Sequence, residues 1–347
     1  MGRVYLDHNA TTPLRDEARA AMGSAMDLYG NPSSVHSEGR AAKAVIERAR
    51  AQVSEALGAS GADVIFTSGA TEAAALALAG RGLKGAGIEH DAVRAWIDES
   101  LPVAADSAVG VSDPAGSTVQ LANSETGVVQ VLPEGLAVSD ITQGFGKLPF
   151  AYDWSGVGMV FLSAHKIGGP KGVGALIVPK GTDLAARIKG GGQELGRRSG
   201  TENVIGIAGL GAASEAAQAD LAAGRWDEVA ALRDELEAAL LDGTEGITVV
   251  GQGAKRLSNT SMIVAPGWRG ETQVMAMDLA GYAVSAGSAC SSGKVKASRV
   301  LTAMGFDDEA AASALRVSLG IQTRRDDVLA FAKVWAETYR KKRSRAA

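Results

Sequence analysis

Apolar residues along the chain follow two alternating patterns, which predict helices and buried strands in turn. Before Gly58, the apolar residues of segment 40–57 fall three or four apart, at Ala42, Val45, Ile46, Ala49, Val53, Ala56 and Leu57. This spacing is typical of a helix with one buried face. Val64-Ile65-Phe66 is instead a short unbroken apolar run, typical of a buried strand, and an alanine-rich helix is predicted from there to Ala79.

The same alternation continues through the second half of the chain. Short apolar runs predict further strands at 159–162, 175–178, 247–250 and 262–264. Helical spacing returns at 226–241, and a last helix is predicted to begin at Thr323, since Asp326 completes a capping-box pattern. The basic run 340–345 is predicted to be a solvated, frayed terminus. Together these elements predict an α/β fold with a mostly parallel sheet.

Composition narrows the functional classes. The 347 residues include 35 Lys+Arg and 39 Asp+Glu, a net charge of −4, with no basic stripe that would suit nucleic acid or an anionic membrane. A single cysteine excludes an intramolecular disulfide and any multi-cysteine metal site, and no metal site is predicted. No apolar run approaches the roughly 18 residues that cross a bilayer. We therefore expect a cytoplasmic enzyme or binding protein.

One segment has the features of a phosphate site. Residues 64–72 comprise a strand, a small-residue turn and a helix start, with hydroxyl groups on Ser68 and Thr71. Free backbone N–H groups and the positive end of a helix dipole attract a phosphate monoester there. The alternative is an ordinary strand–helix turn capped by Thr67 or Ser68.

Lys166 and Asp140 are candidates for cofactor chemistry. Lys166 follows a buried strand and is flanked by Ser163, His165 and a glycine run, so partial desolvation would make its amine a Schiff-base nucleophile. Asp140 ends an apolar stretch, where a carboxylate can keep a heterocyclic nitrogen protonated. The alternatives are a solvated surface lysine and an aspartate that caps a helix or turn.

His90 and Cys290 are more ambiguous. His90 could stack on a ligand, relay protons, or simply belong to a loop. Lone cysteines are usually small buried hydrophobes, but Cys290 lies among Gly, Ser and Ala residues, a composition typical of a loop. Lys294 and Lys296 follow and would favour its thiolate. An exposed cysteine next to cations suggests chemistry more than packing.

Taken together, these segments resemble cysteine desulfurases of the NifS/IscS kind, which are class-V, fold-type-I pyridoxal-phosphate (PLP) enzymes. Ten motifs occur in the order of that family: YLDHNATTP (5–13), GNPSSVH (30–36), FTSGATE (66–72), EH (89–90), SETGVVQ (124–130), DITQ (140–143), SAHK (163–166), GGGQELGRRSGTEN (190–203), GSACSS (287–292) and LRVSLG (315–320). The resemblance implies a large PLP-binding domain over 13–226. It implies a smaller α+β domain, built from 1–12 and 227–347, that carries the cysteine loop.

The resemblance also assigns the cofactor contacts. Lys166 would hold PLP as a Schiff base, Asp140 would pair with the pyridinium nitrogen, Gln143 would bond the phenolic oxygen, and His90 would stack on the ring. The phosphate would be held by Ala70, Thr71, Ser163 and His165, together with Thr201 of the partner subunit of a homodimer.

The remaining roles concern the substrate. Arg316 would clamp the α-carboxylate of L-cysteine, and Asn31 would lie near the substrate. The freed Lys166 amine would take the Cα proton, and the Cys290 thiolate would attack the substrate sulfur. Alanine and a Cys290 persulfide would result, and the sulfur would pass to an acceptor protein such as an iron–sulfur scaffold.

The chain departs from the family pattern in two ways. Ser124 stands where the family has an asparagine beside the PLP ring, although Asn123 precedes it. The stretches 90–124 and 125–140 are shorter than usual, so we expect the large domain to lack a helix and a strand on one side.

Three other functions are consistent with parts of the sequence. One is another class-V PLP enzyme, an aminotransferase or a selenocysteine lyase, although Cys290 argues against the aminotransferase. A second is an inactive, trimmed paralogue that acts as a binding protein, although the intact set of site residues argues against it. A third, an α/β binding domain without PLP, is opposed by ten ordered motifs.

Overall fold

The structure, a computed structural model, describes residues 2–287 and 297–346. Within them the helices are α1 (Asp16–Met26), α2 (Ser37–Ala56), α3 (Ala70–Leu78), α4 (Asp91–Arg94), α5 (Tyr152–Ser155), α6 (Val204–Ala222), α7 (Arg225–Gly243), α8 (Gly270–Leu279), α9 (Arg299–Ala303), α10 (Asp308–Ala312) and α11 (Arg325–Ala346). The strands are β1 (Val4–Tyr5), β2 (Ala62–Thr67), β3 (Lys84–Ala86), β4 (Asp98–Leu101), β5 (Val138–Asp140), β6 (Met159–Ser163), β7 (Gly174–Pro179), β8 (Thr248–Val249), β9 (Thr260–Val264), β10 (Tyr282–Ala283), β11 (Ser285–Ala286) and β12 (Ala314–Ser318).

Most predicted elements are confirmed, and the last helix differs at both ends. It begins at Arg325 and not at Thr323, because the Thr323 hydroxyl accepts a hydrogen bond from the backbone N–H of Gly320 (2.8 Å). The prediction of a frayed terminus over 340–345 was wrong, since α11 continues to Ala346. Residues 341–344 are exposed on that helix, so the basic run is solvated although it is helical.

The main sheet has the strand order β2-β7-β6-β5. Strands β5 and β6 are parallel, while β7 is antiparallel to β6 and to β2. Beyond β5, Thr118 pairs in parallel with Val138, and Ser117 with Lys84 of β3, which is itself parallel to β4. Every strand of this sheet except β7 therefore has the same direction, and the predicted mostly parallel α/β sheet is confirmed.

The shortened stretches contain little helix. Between Leu101 and Tyr152, a segment described throughout, there is no α-helix and only one 3₁₀ turn, at Pro114–Gly116. The expected loss of a helix and a strand relative to the family stays a prediction, and the extended backbone at 117–118 forms single parallel bridges to β3 and β5. The buried side chains of Val119 and Leu121 pack into the main core and hold this extended segment in place.

A second, antiparallel sheet has the order β11-β12-β9-β8. Its core contains Leu315 and Val317 of β12 and residues of α7, α8 and α11. Trp268, Trp335 and Tyr339 stack there, with ring centroids 5.4–6.0 Å apart. Strand β1 pairs in parallel with β10, so the N-terminal segment packs with the C-terminal third. The exact domain boundaries stay a prediction.

None of the helices in the described part of the chain is both long and apolar enough to cross a membrane.

Candidate active site

The ends of three strands bring the predicted cofactor residues to one edge of the main sheet. Strands β2, β5 and β6 share a direction and end at Thr67, Asp140 and Ser163. The turn after β2 leads into α3, and a 3₁₀ turn after β6 carries His165 and Lys166. In open α/β sheets, ligands bind outside the carboxyl ends of the strands.

The turn before α3 has the properties of an anion site. Among the described residues no side chain caps this helix, although the Thr67 hydroxyl, one of the two alternative caps, accepts the Gly69 N–H (3.4 Å) in the turn before it. The Ser163 hydroxyl lies beside the turn, because a Cβ atom on Gly69 would be 3.7 Å from its oxygen. Thr71 is exposed at the start of α3. Uncapped N–H groups, a helix dipole and a nearby hydroxyl fit a phosphate group.

Close backbone approach also requires a glycine on the neighbouring strand. A Cβ atom on Gly174 would lie 2.7 Å from the Cα atom of Gly69. Any side chain at the start of β7 would therefore displace the turn that begins α3. The glycine run after Lys166 thus contributes to the shape of the anion site.

Lys166 is half-buried, and its amine is held by backbone carbonyls. Its Nζ donates to the carbonyl oxygens of Asn9 (2.6 Å) and Ala10 (2.8 Å). The neighbouring His165 lies with Nδ1 3.2 Å from the Thr11 hydroxyl. Burial, followed by the charges of Lys166 and Lys171, lowers the pKa of His165 to about 4. His165 is therefore neutral near pH 7 and can donate or accept a hydrogen bond beside a phosphate.

Asp140 lies within electrostatic reach of both His90 and Lys166. Its Oδ1 accepts the backbone N–H of Thr142 (2.9 Å). Burial raises the pKa of Asp140, while hydrogen bonds from Thr142 and the charges of His90 and Lys166 oppose the rise. The Nδ1 atom of His90 accepts the N–H of Ala92 at the start of α4 (3.1 Å), which fixes the orientation of the imidazole ring.

Asn123 is committed to its own turn. Its Oδ1 accepts the N–H groups of Glu125 and Thr126 (both 2.9 Å), and its Nδ2 donates to the Ile88 carbonyl (3.0 Å). The Asn123 side chain is therefore used within its own turn and by the Ile88 carbonyl. Ser124 is half-buried, and its carbonyl accepts bonds from Asn9 Nδ2 (3.2 Å) and Arg316 Nη1 (3.0 Å).

Gln143 has a fixed amide orientation. Its Nε2 donates to the Asn9 carbonyl (3.0 Å), which can only accept, and its Oε1 therefore accepts from Lys147 Nζ (3.0 Å). One N–H of the amide remains for a ligand oxygen.

Arg316 lies on β12, buried, facing the loops of the large sheet. Its Nη1 and Nη2 donate to the Ser124 carbonyl (3.0 Å) and to Asp7 Oδ1 (2.8 Å). Its Nε is buried and has no hydrogen-bond partner among residues 2–287 and 297–346. The guanidinium therefore keeps an unused donor of the kind that binds a carboxylate.

The structure does not place every predicted site residue at this edge of the sheet. Asn31 is exposed, and its Oδ1 accepts the N–H of Ser33 (2.9 Å) within its own turn. Thr201 is also exposed, between Gly200 and Glu202, which line a cavity of about 50 Å³ beside the end of β2.

Cys290, with Lys294 and Lys296, lies outside the described residues. The residues on both sides of that segment are anchored beside the site. Ser285 donates to Asp7 Oδ2 (2.8 Å), and Ser298 donates to Glu125 Oε2 (2.5 Å).

Sequence reasoning missed the residue that connects these groups, Asn9. Its carbonyl accepts from Lys166 and Gln143, and its Nδ2 donates to Thr260 (2.8 Å) as well as to the Ser124 carbonyl. The motif YLDHNATTP contains it, but nothing in the motif shows which of its side chains turns inward. Lys147 was missed as well, although it follows Gln143 by four residues, a spacing at which two side chains of one helical turn can meet.

This geometry places a helix N-terminus, a lysine amine and a buried carboxylate at one edge of an α/β sheet. The Aminotransferase class-V family profile matches residues 4–93 and 105–331, and the chain belongs to that family. The internal unmatched residues, 94–104, fall within the shortened stretch 90–124. The resemblance seen in the sequence and the fold class are both confirmed.

Individual proteins of this family are similar to the chain over most of its length. The chain is 39% identical over 357 residues to a cysteine desulfurase of Cereibacter sphaeroides, with 92% of this chain and 91% of the relative covered. It is 34% identical over 361 residues to the cysteine desulfurase IscS of Dictyoglomus turgidum, covering 94% and 91%. The crystal structure of a NifS-like protein from Rickettsia africae superposes with a TM-score of 0.88 at 32% identity, covering 97% of this chain and 99% of that one.

Proposed function

We propose that this protein is a PLP-dependent cysteine desulfurase that converts L-cysteine to L-alanine and leaves the sulfur as a persulfide on Cys290. Full-length similarity to cysteine desulfurases supports the proposal. The observation that carries it is the meeting of Lys166, Asp140 and the uncapped start of α3 at one sheet edge. An amine, a carboxylate and an anion site are the three contacts that PLP needs.

The residues present fit PLP at its phosphate, ring nitrogen and aldehyde. Lys166 would bind the cofactor covalently, and Asp140 would pair with the ring nitrogen. The ring would lie against His90 near Ser124, with the free N–H of Gln143 toward its phenolic oxygen. Phosphate contacts would come from Ala70, Thr71, Ser163 and His165. When bound, PLP supplies an electron sink that makes the substrate Cα–H acidic.

The protein residues perform the binding and proton transfers. Arg316 orients L-cysteine by its α-carboxylate, and Asn31 borders the substrate. The Lys166 amine, positioned by the carbonyls of Asn9 and Ala10, takes the Cα proton. The Cys290 thiolate attacks the substrate sulfur, so an S–S bond forms as the Cβ–S bond breaks, and the electron pair of that bond stays with carbon until it is protonated.

We also propose a homodimer in which Thr201 of the partner subunit completes the phosphate site. The loop before Thr201 supports a subunit contact, because Leu195 is 82% exposed and held at a positive φ of 58°. Tyr29 and Val35 are each 87% exposed, and exposed large apolar residues mark interaction surfaces. Sedimentation of the PLP-loaded protein should show a dimer, and a monomer that retains PLP contradicts the contact. A sulfur acceptor such as an iron–sulfur scaffold, and a cytoplasmic location, stay predictions.

The function is tested by incubating the protein with PLP and L-cysteine and measuring alanine and sulfide. We expect a yellow protein whose borohydride-reduced pyridoxyl group maps to Lys166, and alanine release that Lys166→Ala abolishes. Lys171→Ala is the matched control, because Lys171 is exposed five residues away, and it should keep its colour and activity. A protein that cannot be reconstituted with PLP contradicts the proposal. Keto-acid production in place of alanine would instead indicate an aminotransferase.

A further inference from the structure

A second buried amine lies beside Lys166. Lys147 is only 3% exposed. Its Nζ donates to Gln143 Oε1 (3.0 Å) and to Asn9 Oδ1 (3.5 Å). Across residues 2–287 and 297–346, no carboxylate forms an ion pair with it. An ammonium group in this position is desolvated without a counter-ion, which is unfavourable.

Lys147 and Lys166 share their hydrogen-bonding partners. The Asn9 carbonyl accepts from Lys166 Nζ (2.6 Å) and from Gln143 Nε2 (3.0 Å), while the other end of the Gln143 amide accepts from Lys147. Both lysines also line a cavity of about 20 Å³ together with His8 and Asn259. A cavity of that size has room for one water molecule, and the polar atoms at it include both amines and the Asn259 amide; such a water would carry a proton between the two amines.

The charged groups around Lys147 do not neutralise it. Lys166 and Arg316 are both cationic and lie within electrostatic reach. Burial, followed by the charge of Lys147, lowers the pKa of His8 to about 4, so His8 is neutral near pH 7. Arg15, across the cavity, pairs with Asp220 (2.6 Å).

Asp7, a carboxylate within electrostatic reach of His8, is engaged elsewhere. Asp7 pairs with Arg316 (2.8 Å) and accepts from Ser285. Burial first, and then the charges of Lys166 and Arg316, lower the pKa of Lys147 to about 7.

We propose that Lys147 is a positioning residue that shares one proton with Lys166: it is neutral while Lys166 is an ammonium and becomes protonated when the Lys166 amine is neutral. The transfer moves one proton from Lys166 Nζ to Lys147 Nζ through the cavity water, and no other bond changes. The buried site then holds one ammonium throughout. The inference rests on the proposed role of Lys166, but its test needs no turnover.

The test is a pH titration of Lys147 in the cofactor-free protein, followed by NMR of lysine labelled with ¹³C at Cε. The Lys147 signal is assigned by its loss in Lys147→Met. We expect its midpoint near neutral pH in the unmodified protein, and about two pH units higher in Lys166→Met. That shift corresponds to two unit charges about 6 Å apart, the separation that one bridging water spans, at an effective dielectric constant of about 20.

Two controls separate charge from structure. Lys166→Arg keeps the positive charge, and Lys171→Met removes an exposed lysine, so both should leave the Lys147 midpoint within about 0.3 pH units of the unmodified protein. A midpoint unmoved by Lys166→Met, or moved equally by Lys166→Arg, overturns the proposal.

Calorimetry provides a second measurement should Lys166→Met not fold. The number of protons taken up on PLP binding near pH 7 is obtained from binding enthalpies in buffers of different ionisation enthalpy. We expect Lys147→Met to take up about half a proton fewer than the unmodified protein, since a group with a pKa near 7 is half-protonated there. Equal proton uptake by the two proteins overturns the proposal. Failure of either protein to bind PLP counts instead against the proposed function.

Discussion

Arg316→Lys tests the substrate-binding end of the site. In the structure the guanidinium contacts the Ser124 carbonyl and Asp7, and within the described part of the chain its buried Nε has no hydrogen-bond partner. A bound α-carboxylate can take a pair of parallel hydrogen bonds from the guanidinium edge that includes Nε. Lysine keeps the positive charge but presents a single point donor in place of this fork.

The size of the effect follows from the bonds that are lost. One charge-assisted hydrogen bond contributes about 1.5–3 kcal/mol. At about 1.4 kcal/mol for each factor of ten, its loss weakens substrate binding by about 10- to 150-fold. Losing the contact with the Ser124 carbonyl costs roughly 1 kcal/mol of folding stability, which a chain of this size tolerates. The effect should therefore appear in KM, while kcat changes only a few-fold because Lys166 and Cys290 are untouched.

The assay is alanine release as a function of L-cysteine concentration, with the absorption of bound PLP recorded in parallel. Arg324→Lys is the matched control, because Arg324 is an exposed arginine that also pairs with an aspartate, Asp327. It should leave KM unchanged. A KM for Arg316→Lys within twofold of the unmodified enzyme, with PLP still bound, would refute the assignment of Arg316 to the substrate carboxylate.

Three further predictions concern Cys290, Glu237 and Glu125. Cys290→Ser should keep its colour but lose nearly all alanine production, because a hydroxyl stays protonated at neutral pH; alanine release at the original rate would exclude Cys290 as the nucleophile. Glu237→Gln should lower the free energy of unfolding, measured in urea, by about 3 kcal/mol. The reason is that the Glu237 carboxylate accepts hydrogen bonds from both Nη atoms of the buried Arg256 (2.7 and 2.8 Å). A loss below about 1 kcal/mol would contradict this prediction. Burial raises the pKa of Glu125 to about 7, so its contribution to stability is full below about pH 4 and is lost as the pH rises through 7. Glu125→Gln should therefore gain stability relative to the unmodified protein between pH 5 and pH 8, and parallel stability curves for the two proteins would disprove it.

The local pattern of apolar residues was sufficient to predict most helices and strands and the edge of the sheet at which the site lies. The apolar spacing of 40–57 became α2, whose buried residues include Ala42, Ile46 and Val53. The runs before Thr67 and Ser163 became β2 and β6. Because parallel strands end at a common edge, these runs also predicted where the site lies.

Contacts between distant segments could not be predicted in the same way. Asn9 and Lys147 contact each other although they are 138 residues apart in sequence, and no periodicity in the sequence encodes such a contact. The start of α11 was misplaced for a local reason, since the Thr323 hydroxyl accepts a hydrogen bond from Gly320 and does not cap the helix. The parallel pairing of residues 117–118 was not predicted, because their partners lie in β3 and β5.

The position of Asn9 has a consequence for the order of events during synthesis. Its backbone N–H donates to the Ser318 hydroxyl, 309 residues later in the chain. At about 5–20 residues per second, a ribosome needs roughly 15 to 60 seconds to make that stretch. Throughout this interval the main sheet can form, but the carbonyl that holds Lys166 is not yet anchored to β12. A nascent chain therefore contains Lys166 long before it contains the strand that anchors Asn9, and we predict that PLP binds only after β12 has been made.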